Sequence, residues 1–127
     1  MHWNDYRKIA EERGALALEL FVIESTPSSE PEKIKEILPY HLDYQANLEK
    51  RGVLVLAGPL SDSTGNIMNG SGLIVYRAES MKEAENIAQE DPMHKSGTRT
   101  FSLRKWLINE GNLSINVGLS TRLVKLS

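Results

Sequence analysis

The chain has 127 residues and a mass of 14.2 kDa, with 40% hydrophobic and 25% charged residues and a formal net charge of -2. Such a composition supports one globular domain with a real core and excludes the disordered and membrane classes. Lys and Arg are spread among Asp and Glu, so no basic stripe is offered to a phosphate backbone and nucleic acid is not an expected partner.

Trp3, Tyr6, Ile9 and Ala10 recur at helical spacing, and Arg13-Gly14 supplies a stop, which predicts a short amphipathic helix over 3–13. Met1 to Gly14 carries no leader pattern, and no apolar run approaches the ~20 residues a membrane helix requires; a cytoplasmic chain without a membrane partner is expected. From Ala17 to Glu24, Leu18, Leu20 and Val22 alternate with Glu19, Phe21 and Ile23, predicting a core strand. Ser25 to Ser29 reads as a connector, and Ser29 with Glu32 matches a capping box that opens a helix. Pro39 predicts a break near Leu38 and a fresh start, because an interior proline costs a helix about 3 kcal/mol. The second segment then runs to about Arg51, closed by Gly52.

Val53 to Ala57 is an apolar run ending in Gly58-Pro59, read as a central strand. Ser61 to Gly72 has no period and reads as a loop, whereas Leu73 to Tyr76 reads as another buried strand. Ser80 with Glu83 opens a helix with Met81, Ala84, Ile87 and Ala88 on one stripe, ending before Asp91-Pro92. Thr100 to Leu107 alternates as a fourth strand. The order β-α-β-β-α-β is the split βαβ pattern of an α+β, ferredoxin-like sandwich, with helices on one face of an antiparallel sheet. Its other face wants a cover, and a two-fold partner sheet is the simplest one. Leu113, Ile115, Val117 and Leu119 alternate with polar residues in the tail, a half-apolar strand in search of a neighbour such as a partner subunit. The expected organisation is an N-terminal helix (1–15), a central domain (16–110) and a C-terminal arm (111–127).

The run His41-Leu42-Asp43-Tyr44, then Gly52, Leu56-Ala57-Gly58-Pro59-Leu60 with Asp62, Ser80-Met81, Glu83-Ala84, Asp91-Pro92 and Trp106 resembles the YCII (YciI-like) family over roughly residues 17–110. DPMHKSGTRTF followed by Trp106 to Gly111 resembles one branch of it. The resemblance implies dimers of the α+β barrel kind, and a histidine and an aspartate suspected of catalysis, here His41 and Asp91. The helix before residue 17 and the tail lie outside the common pattern.

His41 stands three residues after Leu38 and seven before Leu48, on the apolar stripe of a continuous helix. If Pro39 restarts the helix, His41 lies in a first turn, where the dipole favours the neutral ring that a general base needs. The competing reading is a satisfied structural histidine. Asp91 before Pro92 reads either as a cap for the amides of Met93 and His94 or as the carboxylate that orients His41, and the two roles are compatible. His94 adds a second titratable ring, or is a loop histidine. Arg99 could take a carboxylate or enolate oxygen of a substrate, or an acidic neighbour. Gly58 and Pro59, with Ser61 and Asp62 in the loop beyond, could form a pocket wall, or merely end a strand.

With no cysteine there is no disulfide, thiolate site or thiol nucleophile. No metal-ligand spacing, phosphate-binding glycine loop or nucleophile elbow occurs, so neither a metal nor a cofactor is expected. The leading expectation is a cofactor-independent enzyme in which His41 and Asp91 move a proton on a small organic substrate, as in an isomerase, lyase or dehalogenase-like elimination. Its rivals are a non-catalytic dimeric module that binds a small ligand or a protein, and a redox-free relative of the dimeric barrel monooxygenases, which would require a roomy, mostly apolar cavity for an aromatic substrate.

Overall fold

A computed structural model describes Met1–Ser127. Its chain order is α1 (Trp3–Glu12), β1 (Leu18–Pro27), α2 (Pro31–Lys50), β2 (Leu54–Ser61), β3 (Met68–Tyr76), α3 (Met81–Glu90), α4 (Pro92–Lys95), β4 (Arg99–Ile108), β5 (Ile115–Val117) and β6 (Val124–Leu126). Two units separate: residues 19–106, and residues 1–18 together with 107–127.

In the larger unit β2, β3, β1 and β4 lie side by side in that order, the strand order of the split βαβ pattern. β3 runs antiparallel to both β1 and β2. Hydroxyl contact of Thr26 with Thr100 and the ion pair of Glu19 with Lys105 give β1 and β4 opposite directions too. The fold is thus α+β and ferredoxin-like. Alternation decides the faces. Ile23, Ile74 and Tyr76 turn toward the helices and pack with Leu48 of α2 and Ala88 of α3, flanked by Tyr44, Leu54, Phe101 and Leu103. Leu56, paired with Val75, belongs to the opposite face, as does Trp106, and both are largely exposed.

Four local expectations are corrected. First, Pro39 does not break the helix: α2 is one helix of 20 residues with the proline inside. Pro39 and Lys35, whose carbonyl loses its partner, are both exposed, so water can serve that carbonyl while Tyr44 and Leu48 anchor the helix. His41 is consequently mid-helix and not in a first turn beside an N-terminal dipole. Second, Ser29 and Glu32 form no capping box. Glu30 is the N-cap without a side-chain cap bond, because Pro31, pre-set for the first helical position, starts the helix there.

Third, the loop after β2 is short, since β3 begins at Met68. Residues 70–72 belong to the ladder: Gly72 pairs with both Ser25 and Pro59, and a Cβ on it would sit 3.1 Å from the Gly58 carbonyl oxygen. The glycine there serves close strand approach rather than a loop. Fourth, the tail strand finds its neighbour in the chain itself. β5 and β6 form a hairpin with Ile115 opposite Leu126 and Val117 opposite Val124.

The Ser80/Glu83 box forms, with Ser80 accepting from the Glu83 amide at 3.1 Å, although the Glu83 carboxylate reaches back to the Glu79 amide. In the smaller unit the Leu16 amide donates to the Asn109 carbonyl at 3.0 Å, and Ala10 of α1 is fully buried. No helix is long and apolar enough to cross a membrane.

Candidate active site

Asp91 is placed by the chain's own punctuation. Pro92 bars it from helical conformation, so it closes α3 and caps α4, with Oδ1 accepting from the Met93 amide at 3.0 Å. Its side chain is wholly buried, where an unpaired carboxylate would be costly. The partner is His41, whose Nδ1 lies 2.8 Å from both carboxylate oxygens. A carboxylate only accepts, so Nδ1 carries a proton, and the tautomer this bond selects has its lone pair on Nε2. His41 is one-sixth exposed and lines a cavity of about 480 Å3. The ring thus joins a buried anion to an open space.

That cavity lies entirely within the larger unit. One wall is the α2 stripe Ile34, Leu38, His41, Leu42 and Gln45, repeating at helical spacing. Opposite stand Ala57, Gly58 and Pro59 of β2 and Gly70 to Ile74 of β3, with Ser25, Met93 and Arg99 completing it. The lining is chiefly apolar, with a few convergent polar groups, as small-molecule sites are.

Behind the wall runs a second polar chain. His94 Nδ1 lies 2.8 Å from the Ala88 carbonyl, an acceptor, so Nδ1–H donates and Nε2 is the lone-pair nitrogen. Ser25 Oγ lies 2.8 Å from that Nε2 and accepts from Arg99 Nε at 2.8 Å. Burial pushes the His94 ring below its ordinary value, which keeps it neutral. Phe101 packs against it at 4.7 Å between centroids. Arg99 Nη2 donates to the Ser25 carbonyl at 2.9 Å and to the Gly70 carbonyl. Desolvation also lowers Arg99, with Asp91 acting in the opposite sense.

The residues singled out from sequence separate as follows. His41 and Asp91 meet, and Gly58, Pro59 and Arg99 line the same cavity. His94 is buried outside the lining. Ser61 belongs to a shallower hollow with Leu60 and Ile67, and Asp62 is a partly exposed residue just before a turn. Its Oδ1 accepts from the amide and hydroxyl of Thr64, bonds that hold the carboxyl below the usual range. Neither Ser61 nor Asp62 lines the cavity beside His41. Ser25, read as a connector, belongs to the site. Two phenols were also missed: the partly buried Tyr44, donating to the Ile87 carbonyl at 2.6 Å, and the buried Tyr76, whose hydroxyl has no hydrogen-bond partner. Burial, with the Asp91 charge adding to it, raises both and keeps them protonated. No three His, Cys, Asp or Glu side chains converge as a metal site would require.

A four-stranded ferredoxin-like unit with a buried carboxylate-histidine pair opening onto a small cavity defines the class. The family model of the YCII-related domain matches residues 18–107, and the chain belongs to that family. The protein YjpA of Bacillus subtilis (strain 168), described as uncharacterized, is 30% identical over 70 residues, covering 55% of this chain and 75% of its own. Among solved structures, the chain is similar to 5-chloro-2-hydroxyhydroquinone dehydrochlorinase (TftG) from Burkholderia phenoliruptrix AC1100, in complex with 2,5-dihydroxybenzoquinone. The TM-score is 0.50 at 22% identity, covering 68% of this chain and 92% of that one. That likeness agrees with the ferredoxin-like fold.

Proposed function

We propose that the chain is a proton-transfer enzyme acting on a small organic substrate, with His41 as the general base and Asp91 as the group that orients it. The observation carrying this reading is the bond from His41 Nδ1 to the buried Asp91 carboxylate, which leaves Nε2 as acceptor in a ring that lines the cavity. Nε2 takes a proton from substrate carbon or oxygen. The electron pair left behind moves into a neighbouring π-system or expels a leaving group, and the imidazolium then returns its proton to product or water. Isomerisation and elimination both follow this course, and neither needs a group beyond the pair. The fold neighbour's name, a dehydrochlorinase, describes an elimination and is compatible with it.

We also read the chain as a dimer packed through the sheet face away from the helices, where Leu56 and Trp106 stand 63% and 45% exposed. The function is tested by incubating the protein with chlorinated hydroquinones, scored by chloride release, and with small carbonyl acids, scored by solvent-deuterium incorporation. Any turnover found is then measured in His41→Ala. A loss of about 100-fold or more is expected for a general base; a fully active variant overturns the reading and leaves the cavity as a non-catalytic binding site.

A further inference from the structure

We infer that Arg99 forms an oxyanion subsite in the cavity, and that the substrate is a small apolar molecule bearing one negatively charged oxygen. The inference deepens the reading of this cavity as the active site. It starts from counting donors. A guanidinium has five N–H groups. Nε uses its hydrogen on Ser25 Oγ, and Nη2 uses its two on the carbonyls of Ser25 and Gly70. The two on Nη1 make no hydrogen bond, and Nη1 is not sealed from solvent. Arg99 lines the cavity, and this unused donor pair is assigned to it.

The charge is likewise unanswered. Arg99 makes no ion pair, and no carboxylate is among the cavity's lining residues. The buried Asp91 lies close enough to be felt, but its oxygens are held by His41 Nδ1 and the Met93 amide. A partly desolvated cation without a counterion favours an anion brought by the ligand. The side chain is also preorganised. Its three bonds fix the guanidinium to β1 and β3, and the Ser25 hydroxyl is in turn held by His94, so an arriving anion need not order the group.

Geometry narrows the anion. The two-nitrogen edge formed by Nε and Nη2, one of those that grip a carboxylate or phosphate in a fork, is occupied by protein oxygens. The hydrogens left belong to one nitrogen, which suits a single oxygen centre: a phenolate or enolate oxygen, or one oxygen of a carboxylate. The rest of the lining, Ile34, Leu38, Leu42 and Met93 among it, wants an apolar body.

The test measures binding of benzoate, 4-nitrophenolate and the neutral benzamide to the full chain at pH 8 by calorimetry. At least one anion is expected to bind about tenfold or more tightly than benzamide, the worth of one charge-assisted hydrogen bond, and the stronger of the two identifies the oxygen type. Arg99→Gln should abolish the preference and Arg99→Lys restore part of it. His41→Ala should keep it. Should Arg99→Gln fail to fold, the side-chain 15N resonances of Arg99 in the wild-type chain carry the test, and must shift with the anion alone. Equal binding of all three probes, or a preference lost in His41→Ala and kept in Arg99→Gln, overturns the subsite. An active His41→Ala variant with the anion preference intact would instead overturn the catalytic reading and leave the subsite standing.

Discussion

The Ser25 hydroxyl, on β1, donates to His94 Nε2 at 2.8 Å, and neighbours on both sides fix the direction of that bond. Arg99 can only donate to Ser25, and the Ala88 carbonyl can only accept from His94. A protonated His94 would turn Nε2 into a donor facing a hydroxyl that already accepts from Arg99. The hydroxyl can accept twice, but its own proton would then lose the His94 acceptor, so the network is fully satisfied only with a neutral ring.

A pH dependence of stability follows. Desolvation depresses His94 in the folded chain relative to the ordinary 6.5, and the hydrogen bond to Ala88 and the Asp91 charge offset only part of this. A group depressed by folding binds its proton more readily when unfolded, so its contribution is fully present above about pH 6.5 and fades as pH falls below that value. Urea unfolding at pH 7.5, 6.5 and 5.5 should show this loss. His94→Gln should lower stability at pH 7.5 by about 1–3 kcal/mol through the broken bonds, yet decline less steeply toward pH 5.5. Parallel curves for the two proteins would refute the assignment.

Asp91→Asn tests the tautomer. The amide oxygen can still cap Met93, so α4 should survive, but the amide can also donate to Nδ1 and move the ring proton to Nε2. Turnover should fall by about 100-fold to 10,000-fold with the far-ultraviolet spectrum unchanged. Ring 15N shifts of His41 should report the exchange of protonated nitrogen, and a ring still protonated on Nδ1 would contradict the argument.

Pro39→Ala should stabilise the chain. It gives the Lys35 carbonyl its partner and removes the ring clash, about 3 kcal/mol in an ideal helix, less about 0.4–1 kcal/mol for the stiffer unfolded chain of the proline protein. A gain of about 2 kcal/mol in urea unfolding is expected, and a net loss would mean that the proline has a role in shaping α2.

Gly70→Ala should be destabilising by about 1–3 kcal/mol, because Gly70 has φ of +94° and an added Cβ would stand 3.0 Å from Pro27 Cγ. The Gly70 carbonyl also holds Arg99, so the benzoate preference should weaken with it. Unchanged stability would contradict the strain argument.

Leu56→Glu and Trp106→Glu should shift the mass measured by light scattering toward that of one chain, since a charge in the centre of an apolar sheet interface is unpaired and desolvated. An unchanged mass would place any assembly contact elsewhere.

Much of the fold was legible because its signals are local. Alternation marked β1 and β4, apolar runs marked β2 and the end of β3, and Ser80/Glu83 and Asp91-Pro92 punctuated α3. What escaped depends on which side of an element a residue occupies. Pro39 is tolerated because it faces solvent, a property of packing rather than of the tripeptide around it. Glycines 70 and 72 look like loop residues and are strand residues, and at Gly72 the pairing with Ser25 and Pro59 needs backbone and no side chain. The meeting of His41 with Asp91 spans 50 positions, and only the family resemblance suggested it. Ser25 carries no motif at all; its place in the site follows from the register that sets it opposite Gly72 on the helix-facing side. The period of β1, carried one residue past Glu24, points Ser25 inward beside Ile23.

The uninterrupted α2 has an evolutionary consequence. Its second half, through Tyr44 and Leu48, is anchored in the core, whereas Leu38 and Leu42 flank His41 with 40% and 53% of their surface exposed. Exchanging them costs the core little, while exchanging Leu48 would displace the helix that carries His41. Mutational drift can therefore retailor the cavity wall without disturbing the His41–Asp91 pair, so that under the proposed function a lineage changes the molecules it accepts while keeping the proposed chemistry.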